Sequence, residues 1–267
     1  MKTWAFIPLL LMSFGCSSTR QLQLPARQEA LPGGEAFYQA ILPLPWQERE
    51  QMAVQAILAG NTPSFLRKLV PVHSSLTDSN GQKLTAIFYV TPDYLSVGSD
   101  ADFARIPLTP MAAKQIADSL DCFLPTRKMV DAIYAQAAVK LSPVPMYALR
   151  DSAITFWQHH LMIEGQRKQR KGLIAGIKKD VVTSGKAKRD NTPNRVAIYG
   201  WHRLNSQAIQ PLYTGHVNWY VDYSHGIRLV YQQILVNGQW MHYQTVLQHP
   251  LFRALLCDEA GDCLPLQ

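Results

Sequence analysis

The chain has 267 residues, 47% of them hydrophobic and 17% charged, with a formal net charge of +7. That balance supports a large buried core and excludes a chain disordered over most of its length. The positive excess is modest and no recognisable nucleic-acid module accompanies it, so the expected partners are anionic envelope polymers or head groups, and no nucleic acid is expected.

MKTWAFIPLLLMSFGC at the start places Lys2 before an apolar run too short to span a bilayer as a helix. It predicts an export signal over residues 1–15, with Cys16 lipidated as the new N-terminus and the protein held at a bacterial membrane, facing the periplasm or the cell surface. Ser13 and Gly15 also satisfy the small-x-small rule of ordinary signal cleavage, so plain secretion stays open. Cleavage removes Lys2 and takes the charge from +7 to +6. Residues 16–34 are polar with scattered Pro and Gly and read as a tether. Residues 35–267 read as one domain.

EAFYQAILPLPWQEREQMAVQAILAG predicts two helices around Pro43 and Pro45, closed by Gly60 and Asn61. KLVPVHSS and LTAIFYV flank Asn80-Gly81 and predict a hairpin, with TPDYLSVGSD as a third strand and loop. LTPMAAKQIADSLDC predicts a helix capped by Thr109, and LPTRKMVDAIY another opened by Pro125 or Thr126. A third is expected from about Met146 to Lys168. GLIAGIKKDVV, RVAIYGWHRL, 216–224, 226–236 and QWMHYQTVL read as strands, the last two joined at Asn237-Gly238. HPLFRALL reads as a short final helix. The order predicts an α+β fold with segregated helices and an antiparallel or mixed sheet.

Cys257 and Cys263 bracket DEAGD and are expected to pair in an oxidising compartment. With Cys16 carrying lipid, Cys122 is left unpaired, either buried and inert or kept for its reactivity.

Histidine carries the most chemistry near neutral pH. His202, His216 and His225 lie close in sequence, with Asp222 beside them. On a straight strand, His216, Tyr220, Asp222 and Ser224 share one face, while Asp222 and His225 differ in parity. They meet only through a bulge or turn, which Gly226 permits. Three chemistries follow. One is a papain-like cysteine amidase with Cys122 before a helix N-terminus, similar to the NlpC/P60 and CHAP cell-wall amidases, with GHV at 215–217 as the histidine strand. DCFLPT departs from their motif by setting the cysteine a few residues before the helix. A second is a zinc hydrolase drawing on His202, His216, Asp222 and His225, although no standard zinc motif is present. The third is a metal-free acid–base site of Asp222, His225 and a lysine or tyrosine, in which Ser224 could be a nucleophile beside His225, although no GxSxG elbow supports it. Lys178, Lys179 and Arg228 would hold an anionic substrate, with Trp201 and Tyr220 beside it; Trp201, Trp219 and Trp240 are candidates for a sugar-stacking platform.

LPTRKMVDAIY (124–134), AGIKKDVV (175–182), VAIYGWH (196–202) and YVDYSHGIRLV (220–230) together resemble a family of uncharacterised exported bacterial proteins, over about residues 85–257. The resemblance implies export but no reaction. It also implies a histidine where this chain has Ile177, so a metal site or base using that position is not expected here. The leading expectation is a hydrolase of envelope material, peptidoglycan peptide or glycan, centred on His202, His216, Asp222 and His225. The competing one is a non-catalytic envelope-binding lipoprotein.

Overall fold

The computed structural model describes residues 20–189 and 194–264. The expected signal segment and the Cys16 anchor lie outside the described residues. Residues 20–33, expected as part of a tether, instead run against the domain: Gln21 bridges Lys68, Leu22 is buried, and Arg27 Nε donates to Asn61 Oδ1 at 2.9 Å.

Helices α1 (Gly34–Ile41) and α2 (Trp46–Leu58) are separated at the two prolines, as the missing amide hydrogens require. After the short α3 (Ser64–Arg67), β1 (Val70–Thr77) and β2 (Lys83–Val90) form a full antiparallel hairpin. Gly81 takes the positive φ of 78° that its turn needs. A ribbon of β3 (Ser96–Gly98) and β4 (Phe103–Arg105) leads to α4 (Pro110–Ser119), where Thr109 Oγ1 accepts from the Ala112 amide at 3.3 Å. The two-residue β5 (Cys122–Phe123) precedes α5 (Arg127–Gln136), capped in the same way by Thr126.

Beyond β6 (Val139–Lys140), helix α6 (Ala153–Arg167) starts later than Met146. Ser152 supplies its N-cap, and the preceding segment is held as a loop by the Met146 amide donating to Tyr223 Oη at 2.6 Å. The expected strand GLIAGIKKDVV is cut into β7 (Ile174–Ala175) and β8 (Lys179–Val182). Gly176 lies between them at φ +101°, against the Leu141 carbonyl. The polar loop that follows contains α7 (Lys186–Arg189). Strands β9 (Ala197–His202) and β10 (Ala208–Tyr213) come next, then β11 (His225–Gly226), β12 (Val230–Tyr231), β13 (Gln233–Val236) and β14 (Gln239–His242). His242 caps α8 (Tyr243–Gln248), so QWMHYQTVL is half strand and half helix, and α9 (Arg253–Leu256) closes the order.

These elements make an α+β domain with two main sheets. One is six-stranded, ordered β14-β13-β2-β12-β5 with β1 on β2; the other is ordered β10-β9-β8-β11. Phe88, Val90, Val230 and Ile234 are wholly buried in the first. Each such side chain contributes about 1.5–3 kcal/mol by leaving water. Cys257 and Cys263 form a disulfide. Among the described residues no helix is long and apolar enough to cross a membrane.

Candidate functional site

The strand expected over 216–224 does not form. Asp222 Oδ1 accepts the Ser224 amide at 2.9 Å and the Ser224 hydroxyl at 2.5 Å, and the His225 amide donates to the Asp222 carbonyl at 3.0 Å. Such side-chain-to-backbone bonds offer the chain a turn in place of a ladder. The turn brings Asp222 and His225 to one side, Oδ1 and Nε2 3.9 Å apart. Immediately after it, β11 pairs in parallel with β8 in the register His225↔Lys179 and Gly226↔Asp180. Residues in register point to one face of a sheet, so Lys179 stands beside His225. The stretch from Val221 to Val230 is buried throughout.

Around this pair the rings of His216, Tyr220 and His225 form a triangle, with centroids 4.6, 6.1 and 6.5 Å apart. His225 is 1% exposed, whereas His216 and Tyr220 are half-buried and form its solvent side. Arg150, on the loop before α6, donates to Asp222 Oδ2 at 2.7 Å, and the Tyr220 hydroxyl donates to the same oxygen at 3.3 Å. Trp201 completes the floor. Its indole donates to the Ile177 carbonyl at 3.0 Å, and the Lys179 ammonium lies over its ring at 4.8 Å. Trp201 holds this place at a left-handed φ of 57°, a strained conformation for a bulky residue that persists only where the surroundings over-determine it.

The electrostatics separate the two central groups. Burial pushes the Asp222 carboxyl up, but His225, the two Ser224 bonds and Lys179 outweigh it and bring the pKa down to about 2. Burial lowers His225 to about 4, against the opposing pull of Asp222. At neutral pH the site therefore holds a carboxylate beside an uncharged imidazole, neither of whose nitrogens has a hydrogen-bond partner among the described residues. Burial also lowers His216 and raises Tyr220 to about 12.

Other expected site residues lie elsewhere. His202 pairs with Asp131 on α5, Nε2 to Oδ1 at 2.9 Å, and stacks on Tyr134. The Tyr199 hydroxyl shares that carboxylate. Lys178 is buried and donates its ammonium to the Tyr223 carbonyl, bracing the turn from behind. Arg228 is fully buried; it donates to the carbonyls of Thr91 and Ile174 and packs over Tyr94. Neither cation is placed for a substrate. Ser224 spends its hydroxyl on Asp222 and is not an available nucleophile. Cys122 is buried, with its thiol on the Leu120 carbonyl; burial and the neighbouring Asp121 push its pKa up, the reverse of what a papain-like thiol needs. The tryptophans do not share a platform: Trp201 is buried, Arg20 covers Trp240, and Trp219 is exposed.

Arg150 carried no signal in the sequence, because the loop that delivers it is ordered by contacts to Tyr223, on the turn itself. Among the described residues, no group of three or more His, Cys, Asp or Glu side chains is placed to hold a metal ion. Two clefts open elsewhere. One of about 690 Å³ is lined by Phe65, Asp93, Trp157, His160 and Glu164 among others, and one of about 430 Å³ by Phe123, Val182, Arg195 and Tyr243 among others. Neither has His216, Asp222 or His225 in its wall. No protein-family model, curated protein or solved structure matches the chain.

Proposed function

We propose that the chain is a metal-free acid–base hydrolase of anionic envelope material, peptidoglycan stem peptide or glycan, exported and held at the membrane through Cys16. The observation that carries this reading is His225: a buried, uncharged imidazole with both nitrogens unpartnered among the described residues, beside an ionised Asp222. A neutral imidazole is a proton acceptor. His225 takes a proton from the attacking water, Asp222 stabilises the imidazolium so formed, and the imidazolium gives that proton to the leaving group as its bond breaks, directly or relayed through the Tyr220 hydroxyl, so that His225 ends uncharged again. Lys179 and Arg150 supply positive charge for the substrate and for developing oxyanion charge. Neither zinc nor Cys122 has a part in this scheme.

Incubation of the purified protein with cell-wall sacculi tests it, with released fragments followed by mass spectrometry. Release that persists with a chelator and in Cys122→Ala, and stops in His225→Ala, supports the reading. Retention on sacculi without any release supports the alternative, a non-catalytic envelope-binding lipoprotein. The exposed Trp219, Tyr147 and Leu149 favour that second reading as a contact surface.

A further inference from the structure

We infer that Lys179, with Arg150 at the rim, is a seat for an oxyanion of the ligand, a carboxylate or a phosphate. The inference names the substrate class of the proposed site and rests on that site's location, though it needs no turnover. Lys179 is 6% exposed, and among the described residues its ammonium has no hydrogen-bond acceptor and no carboxylate within 4.0 Å; it lies over the Trp201 ring, beside His225, with Asp222 and Arg150 acting on it through space. With the residue mostly buried, its ammonium still reaching solvent and no protein acceptor on it, Lys179 is free to meet a ligand oxygen.

Asp222 attracts it through space but makes no ion pair with it within 4.0 Å, because its two oxygens are already engaged: Oδ1 by the Ser224 amide and hydroxyl, Oδ2 by Arg150 and Tyr220. The carboxylate charge is thus matched by Arg150, and the positive charge of Lys179 is left over. His225 presents two unpartnered nitrogens beside it in register. An ammonium, two uncharged imidazoles and a guanidinium facing one region recognise a negatively charged oxygen. The strained Trp201, fixed through its indole to Ile177, sets the height at which Lys179 can stand.

The test is calorimetric titration of the full purified chain with three probes: N-acetyl-D-alanine, its neutral amide, and inorganic phosphate. The account expects one of the two anions to bind at least tenfold more tightly than the amide. That binding should fall at least tenfold in Lys179→Met, recover in Lys179→Arg, and persist in His225→Ala. Preference for the alanine carboxylate assigns a peptide terminus, and preference for phosphate assigns a phosphate-bearing polymer or head group. Equal binding of amide and anions, binding unchanged in Lys179→Met, or no binding of any probe overturns the seat. Should Lys179→Met not fold, the Lys179 ε-carbon resonance in the wild-type chain decides: movement with the anions alone supports the seat, and no movement overturns it. Anion binding without release from sacculi overturns the hydrolase reading and leaves the seat standing.

Discussion

Nε2 of His225 stands 3.9 Å from Oδ1 of Asp222, three residues earlier, because Ser224 ties the intervening backbone into a turn. The acid limb of catalysis should follow from this pair. With His225 at about 4, the rate on a soluble fragment should climb through that pH and be flat by pH 6. Asp222→Asn should move the limb lower, since the carboxylate is what holds the imidazole's proton affinity up. His225→Ala should cost about 10²–10⁴ in rate, the usual share of a positioned proton acceptor. A pH–rate profile checks all three.

Stability should depend on the same buried imidazoles. His225 is lowered to about 4, and His159 and His160 to about 2, each chiefly by burial. A free histidine titrates near pH ~6.5, so below that the unfolded chain binds protons that the folded chain refuses, and stability is lost as pH falls from there. Asp180, raised to about 6 by burial, and Glu50, raised chiefly by burial, work the other way, but these three imidazoles, with His216 lowered as well, outweigh them. The melting temperature should therefore decline from about pH 6.5 towards pH 4. Both nitrogens of His159 are buried and unpartnered among the described residues. His159→Phe should leave stability at pH 8 equal or higher and flatten the decline. A steeper decline in that variant would count against the account.

Gly226 is fixed by its neighbours. A Cβ there would meet Tyr94 Cδ1 at 2.5 Å and Lys178 Cβ at 2.7 Å, on a strand of only two residues. Gly226→Ala should cost about 1–3 kcal/mol by overpacking, measured by urea unfolding. Because the shift would fall on β11, activity should drop more than stability does.

What the sequence revealed and what it hid divide along one line. Features set by neighbours in the chain were legible: the turns at Asn80-Gly81 and Asn237-Gly238, the caps Thr109 and Thr126, and the Cys257–Cys263 loop. The need for a kink between Asp222 and His225 was legible too, from parity alone. Features set by contacts across the fold were not. Alternation over 216–224 mimicked a strand, but Ser224 and Asp222 satisfied the backbone locally, and the ladder partner is β8. The basic pair Lys178-Lys179 gave no hint that one side chain turns behind the turn and the other into the site. His202 was grouped with the wrong acid because Asp131 reaches it from a helix some seventy residues earlier.

The C-terminal loop should act as a brace for the sheet that carries Lys179. Within it or beside it, Asp258 pairs with Arg127 at 2.8 Å, Glu259 Oε2 accepts from Ser184 at 2.6 Å, and the Cys263 carbonyl accepts from Thr183 at 2.9 Å. Closing so short a loop contributes about 2 kcal/mol by the chain-entropy argument. Reduction should lower the melting temperature by roughly 4–8 °C for a domain of this size. Calorimetry with and without reductant checks it, and no change would show that the hydrogen bonds alone hold the brace.

The central claim is that uncharged His225, ordered by Asp222, performs acid–base hydrolysis without metal or thiol. The most direct measurement compares fragment release from sacculi by the wild-type chain and by His225→Ala, both in the presence of chelator. The account predicts release by the wild type and at least a hundredfold less by the variant. Equal release by both, or release by the wild type that the chelator abolishes, would contradict it.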